Sequence, residues 1–211
     1  MKETLDLQDF KTIMAGINNT IQENKIVLSQ LDSVIGDGDH GVTIAKGLEA
    51  AMEKLEINNP ESISELLKTA GNAIIVTIGG VAGPIFGTFF AEMGRAIDAS
   101  KKTVDLKDLS AMFRASLEKI MRLGGAKPGD KTMVDALEPA VKEIEASSIS
   151  STDIKSAMES MVKAAKKGAE STKDMIAQKG RSSYAGERSI GYEDAGANTV
   201  FFILNAFYES F

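Results

Sequence analysis

Apolar residues recur at intervals of three and four along most of the chain, the spacing that gathers them on one face of a helix. Leu7, Phe10, Ile13, Met14, Ile17 and Ile21 form the first such face, Ile44, Leu48, Ala51, Met52 and Leu55 the second, and Ile63, Leu66, Leu67, Ala70 and Ile74 the third. The fourth runs through Ile85, Phe86, Phe89, Phe90, Met93 and Ile97, and the fifth through Leu109, Met112, Phe113, Leu117, Ile120 and Met121. Asp105 is suited to cap the start of that fifth helix and Gly124 to end it. Met133 to Ile144 predicts a sixth helix, kinked at Pro139; Ile154 to Met175 predicts a seventh, and Val200, Phe201, Leu204 and Phe207 an eighth. No segment alternates apolar and polar residues between hairpin turn signals, so no strands are expected. The pattern predicts an all-α fold, one domain over residues 1–211, arranged as a bundle of eight antiparallel amphipathic helices.

Antiparallel neighbours put alternate connections at opposite ends. The connections after helices 1, 3, 5 and 7 read LDSVIGDGDHG, IGGVAGP, GGAKPGDK and KGRSSYAGERSIGYEDAG; those after helices 2, 4 and 6 are the plain EINNPES, DASKKTVD and ASSISSTD. Thirteen of the 19 glycines fall in the first group. Helix C-caps account for about one glycine per loop, so the excess marks one end as a place where bare backbone amides can approach an anion. The other end reads as structural.

Composition narrows the chemistry available at that end. There is no cysteine and one histidine, which excludes disulfides, thiolate metal sites and imidazole-rich zinc sites. Any metal must be held by oxygen. A net charge of -6 argues against a phosphate-backbone binder, so no nucleic acid is expected. The polar, acidic stretch from Met1 to Phe10 has no apolar signal core, and runs such as Val200 to Leu204 are too short to span a bilayer. A cytoplasmic protein with small-molecule or protein partners is expected.

Asp32, Asp37 and Asp39 supply three carboxylates on one turn, hard oxygen donors of the kind Mg2+ or Ca2+ requires. The spacing is not that of an EF-hand, because the chain enters a helix without a closing glutamate. Three carboxylates leave coordination positions open for phosphate oxygens. The alternative is that Asp39 caps the second helix and Asp37 makes an Asx turn. GGAKPGDKT approaches a P-loop, but no strand precedes it and Asp130 breaks the spacing, so a P-loop fold is rejected. Its pieces still suit a phosphate site: Gly124, Gly125 and Gly129 expose amides, Lys127 and Lys131 bring positive charge, and Thr132 can cap the next helix. GGVAGP presents amides at a helix N-terminus, where the dipole favours an anion. Arg181 and Arg188 are candidate phosphate or ribose contacts, and Asp194 with Gly196 opens the last helix. His40 is expected to bind rather than to carry a phosphoryl group, with its pKa raised by the adjacent carboxylates.

IGDGDHG, GGVAGPIFGTFF, GAKPGDKTMVDAL and KGRSSYAGERSIGYEDAGA, in that order, resemble the nucleotide-binding L-subunit family of dihydroxyacetone kinase across almost the whole chain. The resemblance implies a barrel of eight antiparallel amphipathic helices with ADP at one end, or ATP once phosphorylated. Its phosphates would be held through two Mg2+ ions by Asp32, Asp37 and Asp39. Nucleotide contacts would fall on His40, Gly41, Val42, Thr43, Val81, Ala82, Gly124, Met133, Arg181, Asp194, Ala195 and Gly196. Ala82 stands where the family commonly has serine, so a hydroxyl bond to phosphate is missing there. The related domain of fatty-acid kinases usually carries threonine at the position of His40 and belongs to a longer polypeptide, which favours the dihydroxyacetone branch. A 211-residue chain stopping after its eighth helix resembles the free-standing subunits, in which bound ADP is rephosphorylated by a phosphohistidine carrier of the sugar phosphotransferase system. The phosphoryl group then passes to dihydroxyacetone on a separate K subunit. No catalytic residue beyond the metal ligands is implied on this chain, and a homodimer is compatible with it. The alternative is a nucleotide-responsive module acting on a transcriptional regulator without phosphotransfer.

Overall fold

A computed structural model describes residues 3–150 and 153–211; the first two residues of the polar N-terminus and Ser151 and Thr152 of the sixth connection lie outside them. A short strand β1 (Leu5–Asp6) leads into α1 (Leu7–Ile35), α2 (His40–Asn58), α3 (Ile63–Thr77) and α4 (Ala82–Arg95). A second short strand, β2 (Thr103–Val104), precedes α5 (Leu106–Gly124), α6 (Met133–Ile149), α7 (Ile154–Ser171) and α8 (Ala195–Glu209). Each helix packs on its neighbour in sequence, and α8 returns to α1, closing the ring. The all-α expectation holds, with eight α-helices among the described residues.

The centre of the ring is filled with aromatic side chains. Phe10 and Phe113 each meet Phe207, with ring centroids 6.1 and 5.9 Å apart, and Phe89 meets Phe113 at 6.1 Å. Edge-on and tilted pairs of this kind add to the burial of apolar area that drives folding. Between α3 and α4 the backbones touch: a Cβ on Gly71 would lie 2.4 Å from the Gly87 carbonyl oxygen, and one on Gly87 would lie 2.5 Å from that of Gly71. Buried hydroxyls stitch the same region, Ser116 donating to the Phe89 carbonyl (2.5 Å) and Ser64 to that of Gly94 (2.6 Å).

Four local expectations change. The two strands, paired antiparallel as Leu5 with Val104 and Asp6 with Thr103, are two residues long, too short for a period-two signal to exist. The seventh α-helix ends at Ser171 rather than Met175, followed by a single 3-10 turn over Thr172–Asp174. The carbonyls of Thr172 and Met175 turn to the ammonium of Lys131 instead of prolonging the helix. The long seventh connection, read as a loop, contains 3-10 structure over Arg181–Ser189, broken at Gly186 where φ is 55°. The sixth helix continues through Pro139 to Ile149.

Candidate nucleotide and metal site

The alternation of an even-numbered ring means that α2, α4, α6 and α8 all begin at the glycine-rich end. A cavity of about 210 Å³ opens there, lined by residues of all four glycine-rich connections. The N-termini of four helices therefore face one space, each carrying roughly half a positive charge from its aligned peptide dipoles. Side-chain caps satisfy the first turns of α1, α3, α5, α6, α7 and α8. Only α2 and α4, among the described α-helices, have no side-chain cap bond, and both start at the cavity. The first-turn amides of α4 are left to an incoming ligand, whereas in α2 the His40 and Val42 amides already donate to Asp32 Oδ2 (3.4 Å) and Ser29 Oγ (3.3 Å).

The loop before α2 is drawn over the end of α1 by Asp32, whose Oδ2 accepts from the Gly38 amide at 2.9 Å and from that of His40 at 3.4 Å. This brings ligand oxygens of Asp32, Asp37 and Asp39 within 4.8 Å of one another. Asp39 occupies the N-cap position of α2, but its carboxylate does not cap; it joins the cluster instead. The hard, clustered donors fit a magnesium-type cation. Asp37 is ion-paired with Arg181.

His40 accounts for the other side of the loop. The Thr199 hydroxyl gives its proton to the Ala195 carbonyl (2.9 Å), so at the 2.8 Å contact between them His40 Nε2 is the donor and Thr199 the acceptor. The ring also lies edge-on to Phe86, centroids 5.8 Å apart. The expectation of a raised pKa fails: burial lowers it to about 4, and the field of Asp32 opposes that shift without overcoming it. His40 is a neutral tie between α2 and α8.

Lys131 also departs from expectation. It is buried, with φ of 58°, and its Nζ donates to backbone carbonyls of Thr172 (2.7 Å), Ser189 (2.8 Å), Met175 (3.3 Å) and Tyr192. Its stem borders the cavity while its charge serves the protein's own backbone. The rest of GGAKPGDKT is shaped by carboxylates: Asp135 accepts from the Gly129 (2.5 Å) and Thr132 (2.7 Å) amides, and Asp130 from the Lys127 amide (3.0 Å). Thr132 caps α6 as expected. Asp194 caps α8 through the Ala197 amide at 2.7 Å; burial first, then Asp135 and Asp32, push its carboxyl up to about 7 against that amide and Lys131.

Of the residues expected at the site, Asp32, His40, Val81, Ala82, Gly124, Met133, Asp194, Ala195 and Gly196 line the cavity. Gly41, Val42 and Thr43 do not; Gly41 faces α1, where an added Cβ would lie 1.9 Å from the Lys25 carbonyl oxygen. Arg181 and Asp37 sit in an adjoining shallow depression with Val34, Tyr184, Arg188 and Tyr192. Sequence reasoning missed Lys179, Gly180 and Ser182, which border the cavity. The signal was present, since Lys179 heads the quoted glycine-rich connection, but side-chain direction chooses among its basic residues.

A ring of eight α-helices with an oxyanion-ready cavity and a carboxylate cluster at one end defines a class of all-helical nucleotide- and metal-binding domains. The profile of one such family, the DAK2 domain, matches residues 34–209, and the chain belongs to it. It is 40% identical over 177 residues to the Escherichia coli protein named PEP-dependent dihydroxyacetone kinase, ADP-binding subunit DhaL, covering 84% of each chain. It is 36% identical over 190 residues to a Listeria innocua protein named PEP-dependent dihydroxyacetone kinase 1, ADP-binding subunit DhaL, covering 90% of this chain and 89% of that one. Both relatives are named as subunits of a kinase. The dihydroxyacetone kinase of C. freundii in its native form superposes with a TM-score of 0.71 and 26% identity over 95% of this chain, which spans about a third (34%) of that enzyme. No helix among the described residues is long and apolar enough to cross a membrane.

Proposed function

We propose that this chain is the nucleotide-holding subunit of a dihydroxyacetone kinase, binding ADP and Mg2+ in the cavity. Its phosphoryl group would come from a phosphohistidine carrier of the phosphotransferase system and pass to dihydroxyacetone on a separate K subunit. The observation that carries the reading is the pairing of the uncapped start of α4 at the cavity with a three-carboxylate cluster whose Asp32 lines the same cavity. The names borne by the relatives support it. The exposed amides at the start of α4 would bind and orient phosphate oxygens; Asp32, Asp37 and Asp39 would hold two Mg2+ ions; His40 fixes the start of α2 against α8. Val81, Ala82, Met133 and Gly196 exclude water around the base and ribose. Bound Mg2+ would neutralise phosphate charge and keep the terminal phosphoryl group in line with its acceptor. With nucleotide bound, ADP would be the leaving group as the terminal phosphoryl group passes to the substrate hydroxyl oxygen, and the hydroxyl proton would go to a base on the partner. This chain holds the leaving group.

The test is mass spectrometry of small molecules released by acid from the purified protein, with a metal count, followed by calorimetry on stripped protein. ADP and magnesium are expected together. Asp37→Ala should lose the Mg2+-dependent binding of ADP, and full retention of it would remove Asp37 from the metal site and overturn the assignment.

A further inference from the structure

The ammonium of Lys131 sits among four carbonyl oxygens, those of Thr172, Met175, Ser189 and Tyr192. An ammonium has three protons. Four acceptors converging on three protons form a cage for a point charge rather than a set of three directed bonds. All four carbonyls belong to the irregular connection between α7 and α8, and their negative ends would repel one another around an empty or neutral centre. That connection carries Lys179, Gly180 and Ser182 at the cavity and Arg181 beside it. Neutral hydrogen bonds also hold it: Gln178 N to the Asp130 carbonyl (3.0 Å), Gly191 N to that of Lys173 (2.8 Å), Ala177 N to Ser189 Oγ (2.9 Å) and Asp194 N to Thr172 Oγ1 (2.9 Å). The buried charged tie is Lys131, in contrast to the exposed ion pair of Arg181 with Asp37; its backbone is held in the left-handed region at φ of 58°, which aims the side chain inward.

We propose that Lys131 is a tethered monovalent cation in a four-carbonyl site, a positioning residue that shapes the wall of the nucleotide cavity without touching the nucleotide. The inference deepens the nucleotide reading and rests on it for its affinity arm only. Removing the side chain leaves a cage with the size and donor type of a potassium or ammonium site.

Lys131→Ala, assayed in sodium or tetramethylammonium chloride, should lose at least tenfold in affinity for Mg-ADP and be cut faster by trypsin at Lys179, Arg181 or Arg188, with helical circular dichroism retained. At equal ionic strength, potassium or ammonium chloride at tens of millimolar should restore both properties, while the wild-type protein shows no such preference. A general loss of packing would not select among monovalent cations. Loss without cation-selective recovery, or no loss at all, overturns the proposal. If wild-type protein binds no Mg-ADP, the nucleotide reading fails and the protease arm alone decides. Should the variant not fold, 15N-lysine spectra of the wild type decide: slow-exchanging ammonium protons assigned to Lys131 support the cage, and protons exchanging as fast as those of exposed lysines overturn it.

Discussion

Gly41→Ala tests whether the carboxylate loop is positioned by the close approach of α2 to α1. An added Cβ would lie 1.9 Å from the Lys25 carbonyl oxygen and 2.9 Å from Leu28 Cβ. Carbon and carbonyl oxygen approach to about 3.3 Å at closest, so the start of α2 must withdraw by more than about 1 Å. The carbonyl belongs to helix backbone and cannot swing aside. Overpacking of this kind costs about 1–3 kcal/mol, and a withdrawal this large belongs at the upper end. Alanine in place of glycine near a helix start returns at most about 1 kcal/mol. The net loss is about 2 kcal/mol, and at about 2–4 °C per kcal/mol for a chain of this size the melting temperature should fall by about 6 °C. The same withdrawal carries Asp39 and the His40 amide away from Asp32, so the melting rise produced by Mg2+ with ADP should shrink as well. Thermal circular dichroism with and without Mg-ADP measures both. Gly79→Ala, where no heavy atom lies within 4 Å of the added carbon, is the control for unliganded stability. A Gly41→Ala protein that melts within about 1 °C of wild type and responds fully to Mg-ADP would refute the reasoning.

Arg181→Lys should weaken Mg-ADP binding about tenfold by calorimetry with helix content intact, because lysine cannot reproduce the planar fork that pairs with a carboxylate or phosphate; unchanged affinity would leave Arg181 a surface partner of Asp37 alone. Asp194→Asn keeps a capping side chain but removes a carboxyl that holds its proton to about pH 7 in the native state and loses it near its ordinary 3.8 when unfolded. That stabilisation is complete below about pH 4, fades as pH rises to 7, and at about 1.4 kcal/mol per decade amounts to up to about 4 kcal/mol. His40, lowered from 6.5 to about 4, works in the opposite sense, its stabilisation being lost as pH falls through that range. The melting temperature of stripped Asp194→Asn should therefore climb more steeply between pH 4 and 7 than that of wild type, and an equal slope would show Asp194 ionised throughout. Purified chain with Mg2+, ATP and dihydroxyacetone should yield no product until a matching K subunit is added; robust turnover by the chain alone, surviving a second purification step, would refute the two-subunit reading.

The helices were legible because their signal is local. Asp105 caps α5 with Asp108 in a reciprocal box, Thr132 does the same for α6 with Asp135, and the left-handed Gly125 follows Gly124 at the end of α5. The convergence of the glycine-rich loops was legible from an even count of antiparallel helices. What composition concealed was the direction of charged side chains. Lys131 and Lys179 are both lysines in glycine-rich connections, but the left-handed backbone at Lys131 sends one ammonium into the protein, and no residue type announces that angle. His40 misled for a related reason: the carboxylates beside it in sequence are a visible field, whereas the burial that outweighs them is made by Phe86 and Thr199, far along the chain.

Those two corrections bear on how the cavity meets an anion. Lys131 is committed to four carbonyls and His40 is neutral, so neither supplies positive charge to a phosphate. Asp32 adds negative potential to the lining, and Asp194, which holds its proton to about pH 7, adds no positive charge. Helix dipoles contribute roughly half a charge each and fall off within a turn, which is too little to offset both a diphosphate and three clustered carboxylates. Lys179 at the cavity and Arg181, already shared with Asp37, supply part of the balance, and cations that arrive with the ligand supply the rest. Metal and nucleotide binding are then coupled: ADP alone meets the uncompensated carboxylates, Mg2+ relieves that repulsion, and either one raises the affinity for the other by the same factor. A stripped protein titrated with ADP in chelator should therefore show little heat and little stabilisation, while ADP with Mg2+ shows both.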